Sequence, residues 1–182
     1  MIARILFTVS LVVAMTVALT GSATGGGAPQ CLGKTATIVK GGGDNEITGT
    51  SGPDVIVAGA GSDRVFAGDG DDTVCGGLGI DLITGQGDND RVDGEAGGDA
   101  VLGEAGDDLV RGGPGRDSGQ ASTGLILGVN GGLGEDRLRG GDGKDQLVSN
   151  DIDDPDDFNG GPDNDQCDVG PEDTHRSCED LS

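Results

Sequence analysis

A nine-residue repeat runs through most of the sequence and limits what the chain can fold into. Nine nonapeptides follow one another without a gap over residues 40–120. Glycine holds the fourth position in every unit except at Asp88, and an aliphatic residue holds the eighth in all but the last unit. The sixth-position residues are Asn45, Asp54, Asp63, Asp72, Asp81, Asp90, Asp99, Asp108 and Asp117. A fixed period of this length predicts a solenoid, in which each unit stacks on its neighbours.

The period continues beyond residue 120 with small slips in register. In residues 121–168 we interpret five further units, whose sixth positions are Leu127, Asp136, Asp145, Asp156 and Asp165. We therefore predict a repeat array over residues 40–168, regular over 40–120 and irregular over 121–168. A lead-in of residues 24–39 precedes it and a tail of residues 169–182 follows it.

Each conserved position within the unit has a physical reason. Glycine at the first, second and fourth positions allows positive φ and a close approach of backbone to a bound ion. Aspartate at the sixth position adds a charged oxygen, and the apolar eighth position is the inward-facing centre of a short strand. Two turn-plus-strand units then close one coil, and units two apart stack about 4.8 Å apart. We predict an all-β fold, a parallel β-roll, with calcium ions between stacked turns.

The alternation of units also predicts which sixth-position residues share a side of the roll. One side would stack Asn45, Asp63, Asp81, Asp99, Asp117, Asp136 and Asp156. The other would stack Asp54, Asp72, Asp90, Asp108, Asp145 and Asp165, with an interruption at Leu127.

The pattern Gly-Gly-x-Gly-x-Asp-x-apolar-x resembles the repeats-in-toxin, or haemolysin-type, calcium-binding nonapeptide. The resemblance is strong over residues 40–120 and looser to residue 168, and the layout is similar to that of small exported bacterial proteins built from these repeats. It implies a calcium-loaded β-roll with several Ca²⁺ ions. It also implies that the sixth-position residues are the metal ligands: Asn45, Asp54, Asp63, Asp72, Asp81, Asp90, Asp99, Asp108, Asp117, Asp136, Asp145, Asp156 and Asp165.

The composition favours folding that depends on cations. The 182 residues include 39 Gly, 33 acidic and 11 basic residues, with a net charge of -22, only three Phe and neither Trp nor Tyr. Such a chain is close to the composition of disordered proteins, so we expect it to order only when cations neutralise it. Sparse Lys and Arg argue against a nucleic-acid partner. Paired carboxylates occur throughout and His175 is the only histidine, so nothing in the sequence indicates an enzyme.

The first 23 residues have the layout of a secretory signal peptide. Arg4 is followed by an apolar run over residues 5–19 and a small-residue end, and we predict cleavage after Ala23. A membrane anchor is the alternative, but the run is shorter than the roughly 20 residues of a spanning helix. We expect a secreted, extracellular protein without stable membrane insertion.

Four cysteines lie outside the predicted signal peptide, namely Cys31, Cys75, Cys167 and Cys178. An even number in an exported chain indicates disulfides, whereas zinc sites bring ligands closer together in sequence. Three pairings are open, and we favour Cys31 with Cys75 and Cys167 with Cys178.

The sequence leaves two functional readings. The first is a self-standing calcium-binding protein with a structural or buffering role outside the cell. The second is a calcium-rigidified interaction module for a cell-surface or polysaccharide partner, with the apolar segment 125–127 as the candidate contact.

Overall fold

The structure is a computed structural model that describes residues 28–117, 119–120, 126–148, 155–168 and 173–180. The expected signal peptide and Leu125 lie outside these residues. The described chain consists of short strands joined by tight turns. The strands are β1 (Gln30–Cys31), β2 (Lys34–Thr35), β3 (Ile38–Val39), β4 (Glu46–Thr48), β5 (Val55–Ala60), β6 (Arg64–Asp69), β7 (Thr73–Gly79), β8 (Leu82–Gly87), β9 (Arg91–Gly97), β10 (Ala100–Ala105), β11 (Leu109–Arg111), β12 (Gly119–Gln120), β13 (Ile126–Leu127), β14 (Val129–Leu133), β15 (Arg137–Arg139), β16 (Gln146–Val148), β17 (Asp157–Asn159), β18 (Asp165–Asp168), β19 (Thr174–Arg176) and β20 (Cys178–Asp180).

Two eight-stranded parallel sheets face each other and form the roll. The first sheet has the order β4-β6-β8-β10-β14-β16-β18-β20, and the second has the order β3-β5-β7-β9-β11-β15-β17-β19. Successive units along the chain therefore alternate between sheets, and each strand pairs with the strand one coil away. The predicted all-β parallel β-roll is confirmed, and the sheets extend past both limits of the predicted array, to β3 and to β20.

The core of the roll is a file of side chains from the eighth position of the units, joined by Ala58 and Ala67 from the first position of theirs. Alternation along a strand directs the eighth-position residue inward and its two neighbours outward. Each member of the file is at most 2% exposed. The file comprises Ile47, Ile56, Val65, Val74, Ile83, Val92, Val101, Val110, Val129, Leu138, Leu147, Phe158 and Cys167.

The irregular segment differs from the prediction. Val129 pairs with Val101 in the first sheet, so it occupies the place that the regular period assigns to Gly119. Gly119–Gln120 instead pairs antiparallel with Ile126–Leu127, outside the two sheets. Residues 119–128 are thus an insertion within one unit rather than the body of a new one.

This insertion reverses the predicted side assignment. Because no extra unit is completed, Asp136 and Asp156 continue the stack of Asp108, while Asp145 and Asp165 continue that of Asp117. The predicted interruption at Leu127 is also wrong, since Leu127 lies in the inserted hairpin.

Two disulfides form in the pairing favoured from sequence, one on the outer face of the second sheet and one at the C-terminal end of the roll. Cys31–Cys75 joins the β1–β2 hairpin to the outer face of the second sheet, where Lys34 Nζ also donates to Thr73 Oγ1 at 2.9 Å. Cys167–Cys178 joins the last member of the core file to β20. No cysteine among the described residues is free.

Candidate metal centre

The sixth-position residues form two buried columns, one at each turn edge of the roll. Each aspartate of the columns from Asp54 to Asp165 is at most 7% exposed. The backbone N–H of each member donates to Oδ1 of the next member, one coil further on, at 2.7 to 3.1 Å. The first column contains Asn45, Asp63, Asp81, Asp99, Asp117, Asp145 and Asp165. The second contains Asp54, Asp72, Asp90, Asp108, Asp136, Asp156 and Asp173.

The second carboxylate oxygen is the unusual feature of these columns. While Oδ1 is held by an N–H, Oδ2 is buried and has no hydrogen-bond partner in the described part of the chain. This holds for Asp63, Asp72, Asp81, Asp90, Asp99, Asp108, Asp117, Asp145 and Asp165. A buried charged oxygen without a partner is costly, so a row of them indicates a compensating cation or proton.

Burial and mutual repulsion perturb the acidity of the columns. Loss of hydration raises the pKa of Asp108 to about 8, and of Asp99 and Asp117 to about 7. The backbone N–H bond opposes this shift, and the neighbouring column carboxylates add to it. The same causes raise the pKa of Asp90 to about 7 and of Asp145 to about 6. A bound cation would reverse the balance by favouring the ionised form.

Glycines at the second and fourth positions bring turn carbonyls against the next coil. Gly77 and Gly79 have φ of 118° and 132°, and a β-carbon on either would overlap the carbonyl oxygen of Gly59 or Gly61, one coil earlier. Only glycine fits such a stack without strain. The turns therefore present rows of carbonyl oxygens beside the aspartate columns.

First-position glycine has a different role from the one predicted. Gly76, Gly94 and Gly112 are not among the residues with positive φ. A β-carbon there would instead overlap the Oδ2 end of the aspartate five residues on, such as Asp81 for Gly76. The first glycine thus makes room for the carboxylate.

The N-terminal member of each column is satisfied by the protein itself. Asn45 Nδ2 donates to Asp63 Oδ1 at 2.8 Å, and Asp54 Oδ2 accepts from the N–H and hydroxyl of Thr50 at 2.8 and 2.9 Å. Thr37 Oγ1 donates to the other oxygen of Asp54 at 3.1 Å. Of the predicted ligands, Asn45 and Asp54 therefore already have hydrogen-bond partners within the protein, for Nδ2 of the one and for both carboxylate oxygens of the other.

The structure adds one member that sequence reasoning missed. Asp173 Oδ1 accepts the N–H of Asp156 at 3.1 Å and extends the second column. Asp173 lies in the predicted tail, but Asp173–His175 matches the sixth-to-eighth spacing, with His175 pairing with the core residue Phe158. The spacing from Asp173 to His175 could have indicated a further unit, but this unit lacks the turn glycines by which the other repeats are recognised.

The available ligands suit a hard cation. Among the described residues, no three His, Cys, Asp or Glu side chains come together at one point. A cation between two turns would thus combine column carboxylates with glycine-loop carbonyls, an all-oxygen set of the kind calcium prefers.

Comparison with known families identifies the cation. The family of the RTX calcium-binding nonapeptide repeat (4 copies) matches residues 41–74, 48–83, 68–101, 84–118 and 129–151, together more than half of the chain. The chain belongs to this RTX repeat family. The matches stop at residue 118 and resume at 129, which is the inserted hairpin of the structure. No curated protein and no solved structure matches the chain.

Membership in the RTX family identifies calcium as the cation that this β-roll binds. The protein is a calcium-binding β-roll, and calcium is the cation that the turn carbonyls and column carboxylates suit. The described residues include no helix long and apolar enough to cross a membrane.

Proposed function

We propose that this RTX protein is a secreted calcium-binding protein that folds as calcium enters the columns and has a structural or buffering role outside the cell. The observation that carries the proposal is the row of buried Oδ2 atoms without hydrogen-bond partners. Without a cation, burying these charges opposes folding of a glycine-rich chain that already loses much entropy on ordering. With calcium, ion binding supplies the free energy of folding.

Circular dichroism of the mature chain, with disulfides intact, tests this proposal. We expect little β signal in chelator and a cooperative gain during a calcium titration, with magnesium as the control ion. Site affinities should fall in the range of about 10⁻⁴ to 10⁻³ M typical of extracellular modules. A chain that is equally folded in chelator and in calcium would contradict ion-coupled folding.

A matched pair of variants links the response to the columns. Replacing Asp99 and Asp108 by Asn removes one charge from each column at sites where Oδ2 is buried. Replacing the exposed Asp44 and Asp69 by Asn removes two charges from the turns while keeping an acceptor oxygen. We expect the first variant to need severalfold more calcium for folding and the second to match the native protein.

Export is part of the same proposal. The N-terminal charged and apolar pattern supports a cleaved signal peptide, and two disulfides fit an oxidising compartment. Sequencing of exported protein should find Thr24 as the first residue. Protein retained in cells with residues 1–23 attached would contradict this.

We propose no catalytic role for the chain. Support comes from a core file of apolar side chains that fills the roll, and from an exposed position for His175 on β19. The alternative, an interaction module, gains support from the arginines on the outer face of the second sheet.

A further inference from the structure

Arginine is concentrated on the outer face of the second sheet. Five of the 11 basic residues of this acidic chain lie there. They are Arg91 on β9, Arg111 on β11, Arg137 and Arg139 on β15, and Arg176 on β19. Each flanks an eighth-position strand residue, and alternation along the strand therefore directs it away from the core. We call this set the arginine face.

The register of the sheet arranges the arginine face in two rows along the roll axis. Arg91 and Arg137 belong to one row, with Leu109 between them. Arg111 and Arg139 are direct neighbours in the other row, which continues through Asn159 to Arg176. Neighbouring strands are about 4.8 Å apart, so Arg111 and Arg139 are one strand spacing apart, and the other arginines of each row are two spacings apart. Asp93 lies beside Arg111 in one row, and Asp157 lies beside Arg137 in the other.

The arginine face keeps an excess of positive charge after its own ion pairs are counted. Asp93 Oδ2 lies 3.7 Å from Arg111, and Asp157 Oδ1 lies 4.0 Å from Arg176. Within the described chain, no ion pair forms at Arg91, Arg137 or Arg139. Like charges at neighbouring positions of a sheet repel, so such a group is retained at some cost in stability.

The opposite face shows that this arrangement is specific to one sheet. On the first sheet the corresponding outward positions include Leu82, Ala100 and Leu102, and Arg64 is the one arginine among its described strands. The hairpin fastened by Cys31–Cys75 packs against β5 and β7, and on the strands from β9 onward Arg91, Arg137 and Arg176 are exposed.

We propose that the arginine face binds a linear polysaccharide that carries carboxylate groups. Guanidinium groups pair with carboxylates through two parallel hydrogen bonds, and positive charges one or two strand spacings apart along the roll axis suit a linear polymer with repeated charges. The face has no aromatic side chain for stacking bases, which disfavours a nucleic acid. The inference rests on the proposed calcium-dependent folding, because the rows exist only in the folded sheet and column charge must be neutralised before a polyanion approaches.

Binding to immobilised carboxymethylated dextran, with unmodified dextran as the reference polymer, tests the proposal at saturating calcium. We expect the native protein to bind the charged polymer alone, and more weakly as salt is raised. Replacing Arg91, Arg137 and Arg139 by Gln should weaken binding by about tenfold or more. The control variant, with Lys40, Arg64 and Lys144 changed to Gln, removes the same charge elsewhere and should bind as the native protein does.

Folding is followed by circular dichroism in every arm, so that the two proposals fail separately. A calcium-folded protein that ignores the charged polymer, or a face variant that binds as well as the control, overturns the polysaccharide proposal and leaves calcium-coupled folding intact. If the protein is equally folded in chelator and in calcium, calcium-coupled folding is overturned and the polysaccharide proposal is not. Tighter binding to duplex DNA, or a dimer that dissociates in the face variant, overturns the proposal in favour of a nucleic acid or a second copy.

Discussion

At the scale of the residue, the nonapeptide is a set of steric and electrostatic requirements. Second-position and fourth-position glycines let one coil lie on the carbonyls of the last, and first-position glycine leaves room for a carboxylate. Some units depart from the pattern and still keep its backbone. Gln86, Asp88 and Glu104 have φ between 69° and 91°, a region that costs side chains other than glycine about 1 kcal/mol or more.

Glycine substitutions should therefore differ sharply between glycines that lie on a carbonyl of the preceding coil and glycines of the first coil, which have no coil before them. Gly77→Ala combines a φ of 118° with an overlap on the Gly59 carbonyl, and should lower the free energy of unfolding by at least about 2 kcal/mol. Gly52→Ala meets no atom within 4 Å and should change it by less than about 0.5 kcal/mol. Denaturant unfolding in saturating calcium measures both. Equal effects at the two positions would argue against the carbonyl stack.

At the scale of the element, aspartates in the middle of the columns share one cause of perturbed acidity. Burial, with the neighbouring carboxylates adding to it, raises the pKa of Asp90 and Asp108 in the second column and of Asp145 in the first. The folded column thus binds protons more tightly than the unfolded chain does. In the proposed calcium-coupled folding, protons and calcium compensate the same buried charge and therefore compete for it.

The pH dependence should reverse between chelator and calcium. In chelator, protonation stabilises the roll most below about pH 4, and this stabilisation is lost as pH rises through the column pKa values of about 6 to 8. In calcium, lowering the pH should raise the concentration needed for folding. Circular dichroism over a pH series measures both, with light scattering to exclude aggregation. A chain in chelator that is more folded at pH 8 than at pH 4 would contradict this.

The inserted hairpin is an element that the roll does not require. Deleting residues 119–128 joins Ser118 to Val129, which restores the sixth-to-eighth spacing after Asp117. We expect the shortened chain to fold at the same calcium concentration as the native one. A large rise in that concentration, measured by the same titration, would assign the hairpin a part in the roll.

The insertion also marks the limit of what the sequence predicts. Strands, core file, disulfides and column residues follow from local spacing, and all were predictable except Asp173, whose unit lacks glycine. The assignment of an aspartate to one side of the roll depends on the number of units before it. The ten inserted residues 119–128 resemble one more nonapeptide with a one-residue slip, so they were counted as a unit. An odd miscount exchanges the two sides, so Asp136 and Asp145 were each placed in the wrong column. The arginine face needs the strand register, which periodicity alone leaves uncertain.

At the scale of the whole molecule, the roll is a one-dimensional array in which each coil contacts its neighbours. The sheets join each strand to the one a coil away, and the core among the described residues is one file of side chains with Ala58 and Ala67 beside it. Stability in such arrays is a sum of coil and interface terms, so damage stays local.

Removal of the C-terminal disulfide should show this locality. Cys167→Ser with Cys178→Ser removes a clamp and places a hydroxyl in the core file, at a cost of about 2 to 5 kcal/mol. Hydrogen exchange in calcium should show lost protection in β17 to β20, with β5 to β10 protected as in the native protein. Loss of protection along the entire roll would instead indicate all-or-none folding.

The hydrogen bonds between column members give the roll a direction. Every carboxylate docks on an N–H of the coil before it, and the first coil is completed by its own Asn45, Thr37 and Thr50. At the far end Cys178 pairs with Asp165 in the strand register, where the next aspartate would stand, and its disulfide ends the series. The two ends of the roll therefore differ: polar side chains of the protein complete the first coil, and a disulfide-bonded cysteine takes the place of an aspartate at the last. If the chain left a pore N-terminus first, the coils would meet calcium in sequence from the Asn45 end to the Cys178 end. Each coil that had folded outside would then be too wide to slip back through the pore.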